Sequence, residues 1–219
     1  MLADLLDACP ALRSHAARRE IVFGINVRFQ WPATGKRKTL DLALGPPDGD
    51  PPAVPPEQPI VAGRLADVLL SCEAKSVMTE HGKSQPRVYD ELSSSHEIVH
   101  AGRADAIATG LTVVNIARTF VSPLRQTSAQ ALHISRHHQP AAAAAMIRHL
   151  RGLRVRSTAG EVGFDAYATI VVDCDNQGAT QLWTAPPAPQ PGDPDHYETF
   201  LRRVSELYAQ RFPQPPPRP

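Results

Sequence analysis

From Ile21 the apolar residues fall on every second position. Phe23, Ile25, Val27, Phe29 and Trp31 share one phase, and Asn26, Arg28 and Gln30 the other. A period of two fits the pleat of a half-buried strand and no helix. Pro32 to Lys38, with Gly35, reads as a turn, after which Leu40, Leu42 and Leu44 alternate with Thr39, Asp41 and Ala43. The pair is therefore expected to be a hairpin whose second arm carries Asp41 on the side away from the leucines. One apolar sheet face must be covered, so the remaining chain has to supply helices and further strands.

It does so on both sides. Leu5, Leu6, Cys9, Leu12 and Ala16 stand at helical spacing within 2–20, with Pro10 breaking or restarting that helix. A proline-rich insertion at 45–63 is long for a loop inside a compact domain. Ala66 to Val77, through Val68, Leu69 and Leu70, reads as a strand covered on both faces that ends on Glu73 and Lys75. Ser84 and Pro86 are the expected start of a helix with Val88, Leu92, Ser95 and Val99 on one stripe and Gly102 as its stop. Further elements follow: a strand at Leu111 to Ala117, a helix at Pro140 to Gly152, and a strand at Phe164 to Cys174. The last is a helix capped by Asp193 or Asp195 that buries Tyr197, Phe200, Leu201, Val204 and Tyr208. The fold class is α/β. With 219 residues the chain is expected to form one domain over 1–212, followed by a proline-rich tail at 213–219.

A formal net charge of +1 excludes a protein that binds nucleic acid merely by being a polycation. Cys9, Cys72 and Cys174 are few, far apart and without a CxxC pair, which argues against a zinc site or redox dithiol and for buried thiols in a reducing cytoplasm. No apolar run is long enough to span a membrane.

The chemistry-bearing residues lie on the second and third strands. Glu73 and Lys75 are two apart and so share a face, while Ala74 points the other way. An anionic phosphodiester repels hydroxide unless a divalent metal neutralises it and activates a bound water. Asp41, Glu73 and the carbonyl of Ala74 form an oxygen set suited to Mg²⁺. Lys75 beside them could orient or deprotonate the attacking water.

Leu40-Asp41 and Glu73-Ala74-Lys75 resemble the signature of the PD-(D/E)xK nuclease superfamily, in which an Asp is followed by Glu-x-Lys. The resemblance spans about Leu2 to Ala117 and implies a restriction-endonuclease-like core of helix, three strands, helix and strand, here with C-terminal helix and strand additions. It implies Asp41 and Glu73 as metal ligands and Lys75 as the catalytic lysine, with Leu40 where the motif has proline. Glu20, or less directly Asp7, stands where members add an acid from the first helix. Gln85 stands where they place a polar residue on the helix after the motif, and Lys83 and Arg87 are neighbouring candidates for nucleic-acid contact. The implied activity is Mg²⁺-dependent endonucleolytic hydrolysis of DNA, with Mn²⁺ as a substitute, in bacterial restriction or anti-phage defence. A homodimer or a partner protein of a defence complex is compatible with it.

Other patterns compete. Lys36, Arg37 and Lys38 could track phosphates, as could Arg148, Arg151, Arg154 and Arg156, although Arg148 and Arg151 equally suit the end of a helix dipole. His133 and His137 lie i and i+4 on a possible helix, with His138 beside them, but lack the glutamate of an HExxH metal frame. Asp173 and Asp175 read as turn residues before Gly178 rather than as a second carboxylate pair. A different functional class also fits the same residues: a catalytically idle nucleic-acid-binding or assembly module. An RNA-directed nuclease is a third.

Overall fold

The computed structural model describes residues 1–51, 58–128, 131–136, 141–158 and 160–214. Two short helices, α1 (Leu2–Ala8) and α2 (Pro10–Ala17), meet at Cys9, with Pro10 opening α2 because a first-turn residue needs no N–H partner. Strands β1 (Val22–Gln30) and β2 (Arg37–Gly45) form the expected antiparallel hairpin. Next come β3 (Leu70–Val77), α3 (His81–Gly102) and β4 (Ile107–Asn115). A separate hairpin, β5 (Thr119–Ser128) and β6 (Ala131–Arg136), precedes α4 (Ala141–Leu150). The chain closes with β7 (Ala166–Asp173), the two-residue β8 (Gln181–Leu182) and α5 (Tyr197–Arg211).

The main sheet is mixed, in the order β1-β2-β3-β4-β7-β8, with β3, β4 and β7 parallel and the other pairs antiparallel. Helices α3 and α4 cover one face, where Trp31, Leu40, Val88, Leu92, Met146 and Phe164 share a core. On the other face α1, α2 and α5 bury Leu5, Leu12, Leu44, Leu70, Phe200 and Tyr208. Covering both faces is what lets parallel strands carry continuous apolar runs. Cys9, Cys72 and Cys174 are buried free thiols. Among the described residues no helix is long and apolar enough to cross a membrane.

Several expectations are corrected. The single phase read for β1 and β2 does not hold: Phe23, Leu42 and Leu44 pack under α1, α2 and α5, whereas Val27, Phe29 and Leu40 pack under α3. Asn26 explains the switch. Its φ of 52° lies in the left-handed region that asparagine tolerates, and it turns the pleat over in mid-strand, leaving Ile25 in solvent at 66% exposure. The third strand begins at Leu70, because Ala66 and Leu69 donate instead to Pro46 and Leu44 across the start of the sheet. Helix α3 starts at His81, not at Ser84, since the buried His81 ring reaches the Asn115 carbonyl at 2.8 Å and pins the first turn to the end of β4; Pro86 falls inside the helix. Strand β4 likewise begins four residues before Leu111.

His133 lies on strand β6 rather than on a helix, and His137 and His138 lie outside the described residues. Neither Asp193 nor Asp195 caps α5: His196 is its N-cap, and both carboxylates are drawn to Arg151. Of the proline-rich insertion, 52–57 lies outside the described residues, while its flanks are tied to the hairpin. Asp48 bonds Arg64, and Phe23 exchanges hydrogen bonds with Val61 and Gly63.

Gly45 closes β2 where the Asp67 carbonyl crosses it. A Cβ built there would sit 1.9 Å from that oxygen, and backbone cannot swing aside as a side chain can. Gly45→Ala is therefore expected to lose about 1–3 kcal/mol, read as a lowered midpoint in urea. An unchanged midpoint would contradict the close approach.

Candidate active site

Register places Asp41 opposite Glu73, but the β2–β3 ladder stops one pair earlier, at Leu42↔Cys72. The two strands part there. The Asp41 carboxylate fills the gap and accepts a hydrogen bond from the Ala74 N–H at 2.8 Å, replacing the lost ladder partner. Since the amide and carbonyl of one strand residue point to the same edge, the Ala74 carbonyl faces the same split. The split thus gathers three oxygen donors: Asp41, Glu73 and the Ala74 carbonyl.

Glu73 is 6% exposed and held by three groups. Its Oε1 meets Lys75 Nζ at 2.7 Å, and its Oε2 meets Lys38 Nζ at 3.2 Å and the Ser95 hydroxyl of α3 at 3.1 Å. A carboxylate buried to this extent requires such compensation. Lys75 Nζ also lies 3.4 Å from Glu91 Oε2 of α3, and Glu91 in turn pairs with Arg87 at 3.4 Å. Burial works against the Lys75 charge, but the bond to Glu73 and the fields of Asp41 and Glu91 outweigh it and raise the ammonium above its ordinary 10.5. Lys75 is thus a cation at neutral pH. It is suited to donating hydrogen bonds and stabilising negative charge, and not to removing a proton from water.

Asp41, Glu73, Ala74, Lys75 and Lys38 are therefore brought together. Lys38 enters as an ion-pair partner of Glu73. Glu20 is not brought there: it pairs with Arg18 at 2.8 Å just before β1, beyond Val22, which pairs with Gly45. Gly45 alone is four residues, roughly 13 Å of strand, from Asp41. Asp7 lies in α1, packed against α2 and α5. Lys83 is bound to Glu80 at 3.1 Å, Arg37 to Gln30 at 2.9 Å, and Lys36 is exposed in the turn. Gln85 is half-buried in the first half of α3, and Arg87 reaches the site only through Glu91.

Glu91 and Ser95 are the functional candidates that sequence reasoning missed. Ser95 was visible as a polar residue in an otherwise apolar stripe, and Glu91 stands one turn before it. Their common face could have signalled that α3 presents polar groups to the sheet.

Among the described residues no three His, Cys, Asp or Glu side chains converge into a metal cage. Mg²⁺ does not demand one, because it keeps several waters and is commonly held through one or two carboxylates. Two carboxylates and a carbonyl are hard oxygen donors, a set that fits Mg²⁺ or Mn²⁺ and not a soft metal.

Of the remaining arginines, Arg156 is buried against Asp165, and the exposed Arg151 is paired with Asp193 and Asp195, so each already has a carboxylate partner. Asp175 accepts from the Gln177 and Gly178 amides, the turn arrangement expected of it, and these bonds lower its pKa. No family model, no curated protein and no solved structure matches the chain.

Proposed function

We propose that this protein is a Mg²⁺-dependent nuclease of the PD-(D/E)xK type that hydrolyses DNA phosphodiester bonds. The carrying observation is the split between β2 and β3, with Asp41 capping Ala74 and Glu73 and Lys75 side by side on the face toward α3. The element order of helices, three strands, α3 and β4 agrees with the restriction-endonuclease-like core that the motif implies.

In this reading Asp41, Glu73 and the Ala74 carbonyl would hold the ion. When bound, Mg²⁺ supplies Lewis acidity and lowers the pKa of a coordinated water. Lys75 donates hydrogen bonds to the non-bridging oxygens as negative charge accumulates on them, and Glu91 fixes the ammonium from the helix side. Ser95 and Lys38 hold the Glu73 carboxylate in one orientation. A role in restriction or anti-phage defence, as part of a homodimer or larger complex, belongs to the same proposal.

A second reading, the idle binding module, is favoured by one feature: both Glu73 oxygens already have cationic partners. One experiment separates the two. Purified protein should nick supercoiled plasmid DNA with Mg²⁺ or Mn²⁺ and not with EDTA, and Asp41→Asn should lose both cleavage and Mn²⁺ uptake measured by calorimetry. Absence of cleavage and of Mn²⁺ uptake in the wild type would reject the nuclease, as would undiminished cleavage by Asp41→Asn. The same digest run on RNA decides the substrate.

A further inference from the structure

The near-neutral total conceals a separation of charge along the chain. From Ala106 to Gly160 there is no aspartate, glutamate or lysine, and there are seven arginines. This quarter of the chain therefore carries a formal +7 against +1 for the whole, leaving −6 for the rest. Two of the seven, Arg151 and Arg156, are consumed by the internal pairs described above. Arg118 and Arg136 are not. Both are exposed, and among the described residues neither is ion-paired.

These two flank the base of the β5–β6 hairpin, where Thr119, the neighbour of Arg118, pairs with Arg136. Among the described residues β5 and β6 pack against each other and not extensively against any other helix or strand. The attachment is at the root: Val121 donates to the Asp175 carbonyl, and the Asn176 amide donates to the Val121 carbonyl. The hairpin is thus an arm that leaves the main sheet at the end of β4. Lys75 lies on adjacent β3, level with Thr112, three residues before that strand ends. Arm and candidate site are therefore separated by roughly 15–20 Å, within one turn of a duplex.

We propose that the β5–β6 hairpin is an arm that binds duplex nucleic acid, with Arg118 and Arg136 on backbone phosphates, and so delivers the duplex to the split at Asp41 and Glu73. The inference rests on the nuclease reading only for what happens after binding. Charge complementarity selects the occupant. An acid-free segment with unpaired arginines at the root of a projecting ribbon matches a polyanion, and a two-stranded ribbon fits a major groove of about 12 Å width. Asp173 and Asp175, which share with Arg118 a cleft of about 440 Å³ under the arm, are the nearby acids. Of these, Asp175 accepts from the Gln177 and Gly178 amides through Oδ1.

The test is fluorescence anisotropy with a fluorescein-labelled 20-base-pair DNA duplex in EDTA, where cleavage cannot intervene, across a series of salt concentrations. Arg118→Glu/Arg136→Glu should weaken binding at least about tenfold and reduce the slope of log K against log salt by about two, since each phosphate contact contributes about 0.9. Arg64→Glu/Arg202→Glu, with the same change in net charge away from the arm, should lose less than threefold. Equal losses in the two double variants would overturn the arm, as would a wild type that does not bind the duplex. A wild type that cleaves DNA while the arm variant binds normally rejects the arm and keeps the nuclease. Arm-dependent binding without Mg²⁺-dependent cleavage keeps the arm and rejects the nuclease.

Discussion

Asp165→Ala is expected to cost about 3–5 kcal/mol, the range for breaking a fully buried, hydrogen-bonded charge pair from one side. In a chain of this size that lowers the melting temperature by roughly 10 °C or more. Asp165 has no solvent exposure and gathers donors from four parts of the chain. Arg156 bonds both its oxygens at 2.9 and 3.1 Å, Arg211 of α5 reaches Oδ1 at 2.6 Å, and His100 of α3 and the Ala108 N–H reach Oδ2 at 3.0 and 2.8 Å. Removing the carboxylate leaves the Arg156 guanidinium, itself 2% exposed, without its counter-charge. A midpoint within a few degrees of the wild type would show that the network is not the staple between the helix layers and the sheet that these contacts make it.

The same network dictates a pH dependence. Burial alone would raise the Asp165 pKa, but the bonds from His100, Arg156, Arg211 and Ala108 outweigh it and hold the carboxyl well below its ordinary 3.8. A depressed carboxylate contributes stability that is present above the unfolded pKa and is lost as the pH falls through the folded one. His96, buried against Phe164, acts earlier: desolvation, with the neighbouring His100, pushes it down to about 4. Between about pH 6.5 and 4 the unfolded chain takes up a proton that folded His96 refuses, so stability falls as the pH drops through that window. Acid unfolding of the wild type should therefore begin near pH 6 and steepen below 4. In Asp165→Ala the second phase should shrink, the remainder coming from other carboxylates held below their ordinary range, such as Asp4, Asp175 and Asp193, while the first phase persists.

How much of this was legible differs by element, for physical reasons. The β1–β2 hairpin, the break at Pro10, the α3 stripe and the α5 core face all follow from periodicity, because burial on one face writes itself into residue order. The pleat reversal at Asn26 was not legible, since a single left-handed residue alters the phase of everything after it without altering composition. Likewise the start of α3 depends on His81 meeting Asn115, a contact across 34 positions that no local pattern encodes. Hairpin β5–β6 escaped for a related reason: among the described residues its strands pair with each other and make few contacts with other elements, through register shifts that no regular alternation marks. At the candidate site, Asp41, Glu73 and Lys75 were readable from motif and pleat, whereas Glu91 and Ser95 belong to it only through the packing of α3 on the sheet. Glu20 resembled a site acid in sequence, yet it precedes the start of β1, whereas Asp41 lies level with the middle of that strand.

Lys75→Met offers the sharpest separation of chemistry from folding, and in the proposed mechanism it should lower plasmid cleavage by about 10²–10⁴-fold, the usual scale for one charge-stabilising or proton-handling group. Its effect on stability should stay near 1–2 kcal/mol, because Lys38 and Ser95 continue to hold Glu73 Oε2 and the lysine itself is partly exposed. Methionine keeps the apolar stem and deletes the ammonium, so packing between β3 and α3 persists while the charge opposite the phosphate is gone. Mn²⁺ uptake by Lys75→Met should remain, since the oxygen donors are untouched, and this distinguishes it from Asp41→Asn. Glu91→Gln should act more mildly, about tenfold on kcat with KM unchanged, because it releases the ammonium from one side only and removes no group in contact with phosphate. Full cleavage by Lys75→Met would remove the lysine from the chemistry and leave its ion pairs as purely structural. A loss of cleavage matched by an equal loss of folded protein would mean that the Glu73–Lys75 pair serves the fold first.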